Sequence, residues 1–139
     1  GPGEFQIVHS IAMAPGGRIL VADRDNNRVQ IFSDSDYSYM GEIPVGALAL
    51  DILVSGNRVF VSDVGPPRLR QFDLDGNPVY TWIAPGDDSP HWIREMHSIG
   101  VDSDGNLYAA DNQNGRIQKL IPKPDADPNL LVGQPYVPR

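Results

Sequence analysis

Two histidines, His9 and His97, head two matching stretches, HSIAMAPGGRILVADRDNNRVQ (residues 9–30) and HSIGVDSDGNLYAADNQNGRIQ (residues 97–118). The stretches align without a gap, so Asp23 and Arg28 follow His9 at the spacings at which Asp111 and Arg116 follow His97. A neutral imidazole offers a lone pair to a transition metal. One histidine on a strand is more often a hydrogen-bonded structural residue; the shared register makes His9 and His97 candidate metal ligands. His91, in SPHWIREMH, falls in the loop before the second stretch and is read as solvent-exposed. There is no nucleophile elbow, P-loop or dinucleotide-binding glycine pattern, and no catalytic residue is assigned.

The elements that hold these residues follow from the repeat. A third copy, ALDILVSGNRVFVSDVGPPRLRQF (residues 49–72), puts Ala49 at the head and Asp63 and Arg68 at the same later spacings. Starts near residues 9, 49 and 97 give a period of roughly 40–48, the signature of stacked or radial repeats. RILVAD, RVFVSD and NLYAAD are short, apolar and rich in residues that favour strands, and a glycine-containing turn precedes each. A polar loop and a second alternating strand follow (RVQIFS, RLRQFDL, RIQKLI), and the first two copies add YSYMGEI and PVYTWIA. No apolar run has helical spacing over ten positions. With the head strands SIAMA, LDILV and SIGVD, this makes four strands per repeat, the unit of a β-propeller blade.

The expected fold is therefore all-β: about three four-stranded blades over residues 3–122, in repeats near 9–43, 49–83 and 97–122. The third shows three strands, and a Pro-rich tail (123–139) either packs across the blades or hangs loose. The first strand of each blade in a radial fold lines the central channel, so the head side chains His9, Ala49 and His97 converge. Three blades cannot close a ring, and open sheet edges invite pairing. The expected partners are a second copy that completes six blades, or blades upstream of residue 1.

Asp23, Asp63 and Asp111 resemble a carboxylate set for acid–base work. One per repeat, each five residues before an arginine, reads instead as a structural pair. DLDGN (residues 73–77) and DSDGN (residues 102–106) resemble the start of a calcium loop but lack its later glutamate, so turn chemistry is expected and calcium is not. Trp82 and Trp92 are read as packing residues, with Trp92 the better placed for a channel-mouth contact.

The formal net charge of −7 and the scattered basic residues argue against a nucleic-acid surface. Without cysteine there is no disulfide and no thiolate metal site. No apolar run approaches the ~18 residues of a membrane span.

The motif D-x-x-N-x-R-hydrophobic-Q, present as DRDNNRVQ and DNQNGRIQ, resembles the NHL repeat, with GPGEF similar to that repeat's lead-in. More narrowly, GEFQIVHSIAMAPGGRILVADRDNNRVQIF and MHSIGVDSDGNLYAAD are similar to the C-terminal half of the peptidyl-α-hydroxyglycine α-amidating lyases. That resemblance implies a six-bladed propeller whose zinc is held by three repeat-head histidines on alternate blades. His9 matches the second of these and His97 the third. The first, with the family's catalytic Arg and Tyr, corresponds to positions before residue 1. Glu95 stands where the family has Met, and Ser98 where an Asp contributes to a calcium site. The implied function is a zinc-binding, lyase-like propeller segment not competent alone, acting outside the cytosol as its relatives do. The competing expectation is a non-catalytic NHL module that binds a peptide or protein.

Overall fold

Short apolar strands separated by turns of two to five residues pair with their immediate neighbours, and that local rule builds each sheet. The computed structural model describes residues 1–86 and 89–138. The first sheet joins β1 (Val8–Ala14), β2 (Arg18–Asp23), β3 (Arg28–Ser33) and β4 (Tyr39–Pro44) in that order. The second joins β5 (Ala49–Ser55), β6 (Arg58–Asp63), β7 (Arg68–Asp73) and β8 (Pro78–Ile83). The third contains β9 (Met96–Val101), β10 (Leu107–Asp111) and β11 (Arg116–Leu120). Every pair is antiparallel. These are the three expected blades, with three strands in the last.

The loop after the second strand is a short 3₁₀ turn in the first and third blades, Arg24–Asn26 and Asn112–Asn114. Each turn closes on a residue with positive φ, Asn27 (57°) and Gly115 (61°), which returns the chain as the next strand. Asparagine and glycine tolerate this conformation best.

The blades pack face to face, with the first strands β1, β5 and β9 side by side along the inner edge. Between the first two blades lies one apolar cluster, in which Leu20, Val29 and Ile43 meet Ile52, Val54, Val59, Val61 and Phe72. Between the second and third lies another, built on Leu53, Phe60, Leu69, Met96, Leu107 and Ala109. Alternation along each strand gives both faces of the middle blade to cores.

The outer blades have only one such face. By register, Ile11, Met13, Ile19, Val21 and Phe32 of the first blade are the counterparts of Ile52, Val54, Val59, Val61 and Phe72, but they face away from the second blade. Ile11 is accordingly 66% exposed, and on the far side of the third blade Ile117 is 76% exposed. The tail takes the first of its two expected courses. It packs across the blades, with Val132 in the second core cluster and Tyr136 against the first. No helix among the described residues is long and apolar enough to cross a membrane.

Candidate functional site

Each inner strand departs from regular pairing at one place. Val8 faces Asp23 and Ser10 faces Ala22, so His9 is an inserted residue. Met96 faces Asp111 and Ser98 faces Ala110, which makes His97 the inserted residue of β9. Such a bulge turns a side chain out of the alternation of its strand. In the middle blade Ala49 faces Asp63 and Asp51 faces Ser62, so the inserted residue is Leu50.

The repeat-head alignment is thereby corrected. Counting back from Asp63 without a gap reaches Ala49, but Ala49 is the counterpart of Val8 and Met96, and Leu50 that of His9 and His97. The cause is the hairpin. Gly56 and Asn57 alone connect β5 to β6, whereas Pro15, Gly16 and Gly17 connect β1 to β2. One fewer turn residue shifts everything before it.

The two histidine rings meet. Their centres are 4.9 Å apart with the planes at 75°. His9 Nδ1 lies 2.6 Å from the carbonyl oxygen of Leu50, and His97 Nδ1 lies 3.3 Å from Glu95 Oε1. A carbonyl and a carboxylate can only accept, so both Nδ1 atoms donate. In the neutral rings this leaves the lone pair on Nε2, the arrangement of a metal-ligating histidine oriented by an outer acceptor. Two imidazoles on one tetrahedral zinc, with Zn–N of 2.0–2.1 Å, have ring centres roughly 5 Å apart. The observed separation of the ring centres, 4.9 Å, matches that of two such ligands. Among the described residues no three His, Cys, Asp or Glu gather into a full set. Glu95 Oε2 is buried without a hydrogen-bond partner beside this pair.

Directly after the inserted residues comes a feature that sequence reasoning missed. Asp51 Oδ1 accepts from Ser10 Oγ (2.6 Å) and Ile52 N (2.9 Å), and Oδ2 accepts from Ser98 Oγ (2.8 Å) and Ile99 N (2.9 Å). One carboxylate thus ties the three inner strands together next to the histidines. The signal was the serine after each histidine, matched by Asp51 only once the shorter hairpin is allowed for.

The once-per-blade aspartates are structural, as expected. Asp23 is fully buried and accepts from Gln6 N, Asn26 Nδ2, Arg28 Nε and Gln30 Nε2. Asp111 repeats the set with Arg94 N, Glu95 N, Asn114 Nδ2, Arg116 Nε and Gln118 Nε2. Burial pushes both carboxyl groups up. These donors outweigh it and hold both below the ordinary aspartate range. Asp63 receives Arg68 Nε (2.7 Å) and Arg70 Nε, an arginine standing where the other blades have glutamine. Because Asp111 also holds the amides of Arg94 and Glu95, it fixes the approach to His97.

Asp73 and Asp102 accept the amides two and four residues on, which makes DLDGN and DSDGN turns. The side-chain amide of Asn106, followed by its backbone N–H, brings the Asp102 carboxyl down to about 2. His91 is exposed, as expected. Trp92 lies under the Arg116 guanidinium, 6.0 Å from its ring centre, and Trp82 packs on the second core cluster.

Comparison with known sequences agrees with this architecture. A sequence model of the NHL repeat matches residues 5–32. The chain is similar to peptidyl-glycine alpha-amidating monooxygenase A of Xenopus laevis, 28% identical over 138 residues, covering 87% of this chain and 14% of the relative. It is similar to NHL repeat-containing protein 3 of Mus musculus, 27% identical over 134 residues, covering 88% of this chain and 37% of the relative. The human protein of that name is 42% identical over 41 residues, 30% of this chain and 12% of the relative. The chain thus spans well under half the length of these relatives.

Proposed function

We propose that this chain is the histidine-bearing half of a zinc-binding NHL propeller of the peptidyl-α-hydroxyglycine α-amidating lyase type, with His9 and His97 as two of three imidazole ligands. The observation that supports the reading most directly is the contact between two bulged histidines whose Nδ1 atoms are both engaged, leaving Nε2 to a metal. The third ligand and the catalytic groups belong to blades outside these residues, so the chain alone is not an active lyase. When bound, zinc would polarise or deprotonate a substrate hydroxyl. This chain's own part is to hold two neutral imidazoles in place through Leu50 O and Glu95.

The test is zinc per chain by elemental analysis after exchange into metal-free buffer, for wild type and for His9→Ala/His97→Ala. Metal bound by wild type and lost in the double variant is the expected result. A wild type without zinc, also when joined to the upstream blades of its relatives, overturns the reading.

A second reading rests on the unpaired outer faces. Ile11 on one side and Ile117 on the other belong to the same apolar layers that pack blade on blade inside the chain, so each face suits another blade. A second copy would supply both contacts at once and close six blades. Sedimentation at micromolar concentration then gives twice the chain mass of 15.2 kDa, and Ile117→Asp returns the monomer. A wild-type monomer excludes the self-closed ring.

A further inference from the structure

The inner strands run from the histidines at one end to the hairpin turns at the other, a path of four residues from Leu50 to Val54 or roughly 13 Å. The hairpin end is covered by the chain's own tail. Gln71 Nε2 donates to Asn129 O (3.1 Å), which fixes the tail on the second blade. Val132, 7% exposed, sinks into the core between the second and third blades. Tyr136 N then donates to Val54 O (2.6 Å), so the tail pairs with the last residues of β5 across the inner edge. Beside it lies an open groove of about 340 Å³, lined by Ile11, Met13, Ile52 and Val54 of the inner strands and by Pro135 and Tyr136 of the tail.

Two properties of the sequence suit this segment to a fixed course. Pro128, Pro135 and Pro138 restrict the free tail, so less entropy is lost on docking. Gly133 leaves room where the tail passes Ser55, since a Cβ there would lie 2.6 Å from Ser55 Oγ but an ordinary 3.9 Å from Ser55 Cβ. A segment that merely trailed over the surface would need neither the glycine nor the buried valine.

We infer that residues 129–138 form a built-in strap that docks across the hairpin end of the inner strands and covers Val54 and Ser55, leaving the histidine end free of the tail. The strap is independent of metal, so its test stands whether or not His9 and His97 bind zinc. The chain has no cysteine, so a single introduced thiol reports its own site. Ser55→Cys lies beside the strap, and Ser35→Cys in the exposed turn between β3 and β4. In the full chain, Ser55→Cys reacts with a maleimide at least tenfold slower than Ser35→Cys. In a chain ending at Asp127 the Ser55→Cys rate rises at least tenfold and the Ser35→Cys rate is unchanged. Equal Ser55→Cys rates with and without the tail overturn the strap.

A second pair of variants keeps the test sharp if the shortened chain fails to fold. Gly133→Ala speeds hydrogen exchange at the Tyr136 amide at least tenfold, and Gly133→Ala/Ser55→Ala restores protection by removing the oxygen that the new methyl meets. An unprotected Tyr136 amide in wild type, or no rescue in the double variant, contradicts a docked strap.

Discussion

The first and third blades are built alike and the middle blade is not, at two levels that separate structure from chemistry. All three bury one aspartate at the end of the second strand, and all three pair it with arginine. The outer two add an asparagine and a glutamine to the same carboxylate, where the middle blade uses a second arginine, Arg70. At the inserted residue of the inner strand the outer two carry histidine and the middle one carries buried leucine. The carboxylate and its arginine thus recur in all three blades while the other partners change. The inserted position has no part in that pairing and can be given over to a ligand. The middle blade contributes differently, through Leu50 O on His9 and through Asp51 across three strands.

The comparison breaks most severely at the shared aspartate. Asp111→Ala leaves Arg94 N, Glu95 N and Asn114 Nδ2 without their acceptor and is expected to cost about 2–3 kcal/mol in chemical denaturation. On the proposed zinc reading, the same variant is expected to lower zinc affinity as well, through the misplaced Glu95–His97 segment.

Acid probes the same groups more gradually. The folded values of Asp23 and Asp111 are depressed below the unfolded value of about 3.9. Their stabilisation is complete above that value and is lost as pH falls through the depressed folded values, which for Asp102 means through about 2. Denaturation midpoints should thus be level from pH 7 to 5 and fall below pH 4. Asp111→Asn should flatten that fall, and an unchanged slope would show that Asp111 does not carry it.

Smaller effects sharpen the contrast. Arg70→Gln gives the middle blade the glutamine of its neighbours and should change stability by no more than about 1 kcal/mol, since Arg68 still pairs with Asp63. His9→Ala/His97→Ala should leave the fold within about 1–2 kcal/mol of wild type, the worth of the hydrogen bonds removed, while abolishing zinc retention. A large loss of stability in that variant would move the histidines from ligands to structural residues.

Strand positions, blade number and the role of the aspartates were legible because each is set locally. Alternation marks the strands, glycine and asparagine mark the turns, and the Asp-to-Arg spacing recurs in every repeat. The convergence of His9 and His97 followed from their shared place at the head of inner strands, and the rings do meet. The acceptors that hold their Nδ1 atoms were not legible, because they depend on bulges and on inter-blade packing, neither of which has a periodic signal in the chain. Ala49 was misplaced for a related reason: a two-residue turn and a three-residue turn both read as glycine-containing hairpins, and only pairing reveals the shift. The course of the tail was open between two outcomes because its contacts, Gln71 with Asn129 and Val54 with Tyr136, join residues far apart in sequence.

The central claim is that both histidines hold their Nε2 lone pairs ready for a metal, and their tautomers test it most directly. Long-range proton–nitrogen correlation at pH 8 distinguishes a protonated Nδ1 from a protonated Nε2 in each ring. The account predicts Nδ1–H in both His9 and His97, with zinc then shifting the two Nε2 resonances together. Nε2–H in either ring, with no response to zinc, would contradict it.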